Sequence, residues 1–321
     1  CIDFMKEAFE ISEKYNTPVL LRVTTRICHS KAIVELNDRI NPPVKEFVKD
    51  PKKYVMVPAN SRRRHPVIEE QRLAGLREYS NNCTLNRIEM GDTKIGIIAN
   101  GISYQYAKEV FGDNASYLKI GFSNPLPDKM IKEFASKVDT LYIIEENEPF
   151  MEMQIKAMGI NCIGKDLFPI CGEFSPELIR EKILGVVPKV SFTTDKEAPL
   201  RPPVLCAGCP HRGLFHELGK YKDKAFFSGD IGCYTLGFMP PLQALDSTVC
   251  MGASITAGLG FQRGNMMANE TKHKAFALIG DSTFFHSGIT GLINMTYNDT
   301  PITTIILDNS ITGMTGHQEN P

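Results

Sequence analysis

The sequence contains no uninterrupted apolar run of eighteen residues, the length at which a bilayer-spanning helix becomes credible, so a membrane partner is not expected. Its opening, CIDFMKEAFE, lacks the charged flank and apolar stretch of a secretion signal. Neither sign of charge is in excess: 36 basic and 37 acidic residues leave a formal charge of −1. No global field therefore favours nucleic acid or an anionic surface. Nine cysteines cannot all pair, and they are scattered through long segments rather than spaced as a disulfide framework, so reduced thiols and a cytoplasmic setting are expected. Tryptophan is absent, which excludes nothing, and there is no internal repeat or low-complexity tract. The first residue is Cys1 rather than Met and the last, Pro321, follows a strand-and-loop pattern directly, so the expectation is a piece of a longer protein.

What is present is enough for a core. With 321 residues, 42% of them hydrophobic, the chain can bury a substantial interior, and two or three compact units are expected. Residues 2–15 space apolar side chains as a helix does, and Thr17-Pro18 breaks that helix before a β-type run, Val19–Thr25. Residues 36–65, with NPP, DPK and the cluster Arg62–His65, read as a surface connector, and Val67–Arg77 as a helix docking it. From Lys94 strands and helices alternate: KIGIIANG, YQYAKEVFG, SYLKIGF, PDKMIKEFASKV, TLYIIEE, PFMEMQIKAMG, INCIG, SPELIREKILGV. Repeats of that length imply parallel pairing and a doubly wound unit over 93–187. Pro188–Pro203 reads as a linker, and a second α/β series follows, with strands AFFSGDIG, KAFALIGD and ITTIILDN. The fold class is α/β, in three-layer parallel-sheet domains.

The chemistry concentrates at strand ends. The strand Ala275–Ile279 ends in Gly280-Asp281 and turns through Ser282 and Thr283 into a helix, and Ile302–Leu307 ends in Asp308-Asn309. Ligands of open α/β sheets bind at the carboxyl ends of strands. If the two strands are neighbours, the Asp281 carboxylate and the Asn309 carbonyl oxygen converge. With the backbone carbonyl of Ile311 and two diphosphate oxygens, they would suit a magnesium-type cation. Gly280 would let the backbone approach the phosphates, since a β-carbon would obstruct them. Each feature alone is ordinary turn chemistry. Together, the segment GDSTFFHSGITGLINMTYNDTPITTIILDN resembles the thiamine diphosphate signature, which opens on Gly-Asp and closes on Asn.

Further motifs narrow the resemblance. VCMGASITAGLG at 249–260 resembles the segment in which thiamine diphosphate enzymes present a Met-Gly turn, here Met251-Gly252, ahead of a small-residue helix; plain tight packing against a sheet is the other reading. CAGCPHRG at 206–213, SGDIGCYTLG at 228–237 and NSITGMTGHQ at 309–318 resemble the 2-oxoacid:ferredoxin oxidoreductases and, among them, the indolepyruvate enzymes. That family implies that Cys209, His211, Gly232, Cys233, Gly313 and Met314 also face the cofactor. A C-x-x-C pair such as Cys206 and Cys209 could also ligate zinc or an iron–sulfur cluster or act as a redox pair, but no second spaced pair supplies a closed site. Arg26, in RVTTRICH at 22–29, stands where the family presents residues to the 2-oxoacid and could hold its carboxylate bidentately; a surface arginine is the other reading. The Glu145-Glu146 pair reads as a solvated loop or domain contact, and Arg62–His65 as a solvated cluster.

The resemblance implies domains at 1–35 (the end of a pyrimidine-binding domain), 36–92 (connector), 93–187 (doubly wound middle domain, like the C-terminal domain of transketolase) and 188–321 (diphosphate-binding domain). It implies oxidative decarboxylation of aryl pyruvates such as indolepyruvate to acyl-CoA. Thiamine diphosphate and Mg2+ would be the cofactors, with electrons passing through 4Fe-4S clusters of the full-length subunit to ferredoxin, beside a small beta subunit. The activating glutamate and the cluster-binding cysteines would lie in segments outside this sequence, leaving the catalytic base unassigned and the fragment alone inactive. A non-oxidative thiamine diphosphate decarboxylase or carboligase and a non-catalytic docking subunit remain as alternatives.

Overall fold

The computed structural model describes residues 1–44, 46–187, 194–270 and 272–320. The chain divides into two compact units, Cys1–Thr193 and Thr194–Pro321. Part of the expected linker, residues 188–193, lies outside the described residues.

The first unit opens with helix α1 (Ile2–Tyr15), closed by Asn16 in the left-handed conformation. The β-type run after it forms no strand. Residues 18–24 are irregular, Thr25–His29 coil into a short helix α2, and Leu20 is 89% exposed. Propensity alone does not make a strand; the run pairs with no ladder among the described residues. Two short helices follow, α3 (Pro51–Tyr54) and α4 (Pro58–Pro66), and the second runs through a π-helical stretch, Val67–Leu73, into α5 (Ala74–Asn82).

The sheet of this unit has the order β1-β3-β2-β4, with β1 (Arg87–Glu89), β2 (Ile95–Asn100), β3 (Ser116–Ile120) and β4 (Thr140–Ile144). The last three are parallel, and β1 is an antiparallel edge that sequence reading passed over because three residues carry no period. Helix α6 (Gly101–Phe111) joins β2 to β3, α7 (Asp128–Ala135) joins β3 to β4, and α8 (Phe150–Ala157) and α9 (Pro176–Leu184) follow. Alternation along the strands sorts the core: Ile97, Ala99 and Ile144 join one cluster with residues of α6 and α9. Ile98, Leu118 and Ile143 join the other with residues of α7 and α8. The expected strand INCIG is reduced to one bridge, Ile163 to Tyr142, because the chain touches the sheet there at a single residue.

The second unit is built on a three-stranded parallel sheet, β5-β6-β7, of Ala225–Ser228, Lys274–Gly280 and Thr303–Leu307. Helix α10 (His211–Gly219) precedes β5, and α11 (Ala253–Ala268) lies between β5 and β6. After β6 one continuous helical passage runs as α12 (Asp281–Thr283), a π-helical stretch Phe284–Gly288, and α13 (Ile289–Tyr297). A two-stranded ribbon, β8 (Ile311–Thr312) with β9 (Gln318–Glu319), follows β7. Phe227, Leu278 and Leu307 pack with Phe215 of α10, while Ala277 and Ile279 pack with Ile255 of α11, so helices cover both faces. Of the glycines of α11 only Gly258 faces that packing, where a β-carbon would make ordinary contacts of 3.5 to 3.7 Å with Ser228, Ile302 and Ala277; Gly260 and Gly264 have nothing within 4 Å.

Candidate functional site

The carboxyl ends of β5, β6 and β7 frame a pocket. Strands β6 and β7 are neighbours, with Gly280 opposite Leu307, so the residues that follow them emerge side by side. The Asp281 carboxylate is buried. Its Oδ1 accepts the N–H of Ser282 at 2.8 Å and its Oδ2 the N–H of Asn309 at 3.2 Å. Burial works to raise its pKa, but these bonds, the backbone of Ser310 and the approach of the Asn320 amide outweigh it and hold the group below the usual carboxylate range. That amide comes close without the geometry of a formed hydrogen bond, since its buried Nδ2 has no partner. The Asn309 side-chain Oδ1 in turn accepts the N–H of Ile311 at 3.3 Å, closing a local turn after β7.

Most residues singled out in the sequence meet here. His211, Gly232, Cys233, Met251, Gly280, Asp281, Ser282, Thr283, Asn309, Ile311, Gly313 and Met314 all line the pocket. Two do not. Cys209 lies in the turn before α10, where its N–H donates to the Cys206 carbonyl and its side chain packs on the core. Gly252 supports Met251 from behind in the left-handed conformation (φ 89°), and a β-carbon there would run into Ser287. His211 is buried, and that burial lowers its pKa although the Asp281 carboxylate pulls the other way.

Two positions around the pocket escaped the sequence. Tyr234 lines the pocket from a 3-10 turn, Cys233–Phe238, and its ring lies over both flanking glycines: β-carbons on Gly232 and Gly280 would come within 2.5 and 2.7 Å of Cε1. The missing side chain at Gly280 therefore makes room for the Tyr234 ring. The second is Asp230, wholly buried, whose carboxylate accepts the N–H groups of Ile231, Gly252 and Ser254. The signal for both was present in SGDIGCYTLG, but an aromatic and a second Gly-Asp look like ordinary core and turn residues.

Residues outside this pocket fare differently. Arg26 lines a separate, polar recess of the first unit with Arg22, Tyr106 and Glu146, and its guanidinium is already paired with the Glu173 carboxylate, Nε at 3.1 Å. Glu145 is not solvated as expected: it is buried and accepts the N–H groups of Met151 and Glu152, supplying the acceptor that the first turn of α8 lacks locally.

The pocket's donors suit a diphosphate with a hard cation. Asp281 and Asn309 offer oxygen ligands of the kind magnesium takes, and the β6 strand end runs straight into a helical N-terminus that favours anionic oxygens. Among the described residues no group of three or more His, Cys, Asp or Glu could hold a metal without such outside oxygens.

Comparison with known proteins agrees with this geometry. Residues 230–321 match the family described as thiamine pyrophosphate enzyme, C-terminal TPP binding domain. Indolepyruvate oxidoreductase subunit IorA of Archaeoglobus fulgidus is 38% identical over 99% of this chain and 54% of its own length. The subunit IorA of Thermococcus kodakarensis is 39% identical over 99% of this chain and 55% of its own. This chain thus spans about half the length of the curated relatives it matches. Among solved structures, a 2-oxoglutarate:ferredoxin oxidoreductase from Magnetococcus marinus covers 40% of this chain and 23% of that chain at 22% identity and a TM-score of 0.33, too low to argue from. Along nearly every residue this chain is thus similar to about half of an IorA-type indolepyruvate oxidoreductase subunit, and its pocket falls in the part that matches a thiamine pyrophosphate-binding domain.

Proposed function

We propose that this chain forms the thiamine pyrophosphate- and magnesium-binding part of an enzyme that oxidatively decarboxylates aryl pyruvates, indolepyruvate among them, to acyl-CoA. Electrons leave for ferredoxin through iron–sulfur clusters of the full-length subunit, which works with a smaller partner subunit in the cytoplasm. The observation that carries the reading is the Asp281 carboxylate, held by the backbone of both Ser282 and Asn309 where two parallel strands end.

When bound, thiamine pyrophosphate supplies the nucleophilic carbon that 2-oxoacid decarboxylation requires. The chain's own residues bind and orient. Asp281, the Asn309 amide oxygen and the Ile311 carbonyl would hold the cation, and Ser282 and Thr283, at the helix start, would face the diphosphate. Met251, Cys233, Gly313 and Met314 give an apolar wall, and the His211 ring offers a hydrogen-bonding group there. Arg26, in the first unit, is taken up by Glu173 and has no part in this pocket.

The test uses the full-length enzyme with its partner. Coenzyme A-dependent reduction of ferredoxin by indolepyruvate is the expected result, lost in Asp281→Ala. Release of free aldehyde as sole product would replace it with a non-oxidative decarboxylase, and no calorimetric binding of thiamine pyrophosphate with magnesium would reject both.

A further inference from the structure

We infer that Asp230 is a positioning residue of the pocket: from the end of β5 its carboxylate fixes the Met251-Gly252 turn in the place from which Met251 lines the site. The inference rests on the reading above for what the pocket holds, and on geometry for the rest.

A carboxylate removed from water is costly unless its oxygens are fully hydrogen-bonded. Asp230 is 0% exposed and has no salt bridge among the described residues. Its oxygens instead accept Ile231 N–H at 2.8 Å, Gly252 N–H at 2.9 Å to each oxygen, and Ser254 N–H at 3.1 Å. Two of these three donors belong to the start of α11, a sixteen-residue helix whose N-cap, Gly252, has no side chain with which to accept them. The first N–H groups of a helix need an outside acceptor, and an anion there also meets the positive end of the helix dipole. Asp230 meets both needs from another strand.

The turn is gripped from its other side as well. Gly252 sits at φ 89° against Ser287, so no residue with a β-carbon fits, and the turn cannot slide toward the π-helical stretch. Asp230 is itself anchored, its carbonyl accepting the Thr235 hydroxyl at 2.8 Å while that hydroxyl accepts Gly232 N–H at 2.9 Å. Met251 is the residue between these grips. Asparagine would turn an NH2 group toward amide donors, so the charge and not the shape is what the site uses.

The experiment measures thiamine pyrophosphate affinity with magnesium by calorimetry, and hydrogen exchange over 249–256 in the cofactor-free protein, for full-length wild type, Asp230→Asn and Glu145→Gln. Glu145 caps α8 in the same manner but in the other unit. In Asp230→Asn, exchange at Gly252 and Ser254 rises and affinity falls at least about tenfold, the size of one charge-assisted hydrogen bond. The KM for cofactor rises more than kcat falls, and Glu145→Gln leaves affinity unchanged. Wild-type affinity in Asp230→Asn overturns the inference alone, whereas no binding by wild type overturns the reading of the pocket and this with it. Should Asp230→Asn fail to fold, wild-type exchange still decides: slow Gly252 and Ser254 amides support the anchoring, and freely exchanging ones overturn it.

Discussion

The ring of Tyr234 fills the space that a side chain on Gly280 would need, 2.7 Å from Cε1 to the position of a β-carbon. Gly280→Ala is therefore an overpacking substitution and costs about 1–3 kcal/mol, read from urea unfolding. Combining it with Tyr234→Leu, which vacates the space, recovers part of the loss. Full additivity of the two would mean that the ring does not press on the strand end.

Asp281→Ala strands the N–H groups of Ser282 and Asn309 and removes the anionic oxygen from the pocket. The expected result is that thiamine pyrophosphate with magnesium no longer raises the thermal midpoint, as it does in wild type. Asp281→Asn keeps an acceptor but not the charge, and recovers little. A midpoint shift of wild-type size in Asp281→Ala would count against this site.

In the first unit, burial works to raise the pKa of Glu89, but hydrogen bonds from Arg87, Tyr104 and Lys108 prevail and bring it to about 2. A carboxylate depressed in the folded state contributes stability above its unfolded pKa of about 4.3 and loses it as pH falls toward the folded value. Glu89→Gln should thus be less stable at neutral pH and fall less steeply between about pH 4.3 and 2. Parallel acid limbs in pH-dependent urea unfolding would refute the assignment.

Arg26 and Glu173 meet in solvent, with side chains 66% and 62% exposed. Exposed pairs of this kind contribute little. Arg26→Ala and Glu173→Ala are expected to leave the thermal midpoint unmoved in calorimetry. A clear drop in both, and not further in the double variant, would show that this pair holds residues 19–29 in place.

Regular alternation made the parallel sheets legible from residues alone, because strands such as Ile95–Asn100 are buried on both faces and read as continuous apolar runs. Val19–Thr25 has the same appearance and forms no strand, since pairing is decided by a neighbour that the local sequence does not name. At the site, Gly-Asp and Asn marked Asp281 and Asn309 by spacing between strand ends. Tyr234 and Asp230 carry no such spacing. Their roles depend on what lies across the fold, a glycine 46 positions after Tyr234 (280 − 234) and amides 22 and 24 positions after Asp230.

The π-helical stretch Phe284–Gly288 carries one residue more than an α-helix would use over the same rise. That surplus reconciles two anchors, Asp281 at the strand end and Gly291, where a β-carbon would press on Ile255 from 3.1 Å. Deleting one residue between them would let the coil run as a regular α-helix with both anchors near their present phase and rise, because the π stretch absorbs about one residue. Side chains at the exposed Phe285 are open to exchange, and the surplus residue itself can be lost here without moving either anchor, so descendants of this sequence should vary at this stretch in spelling and by one residue in length.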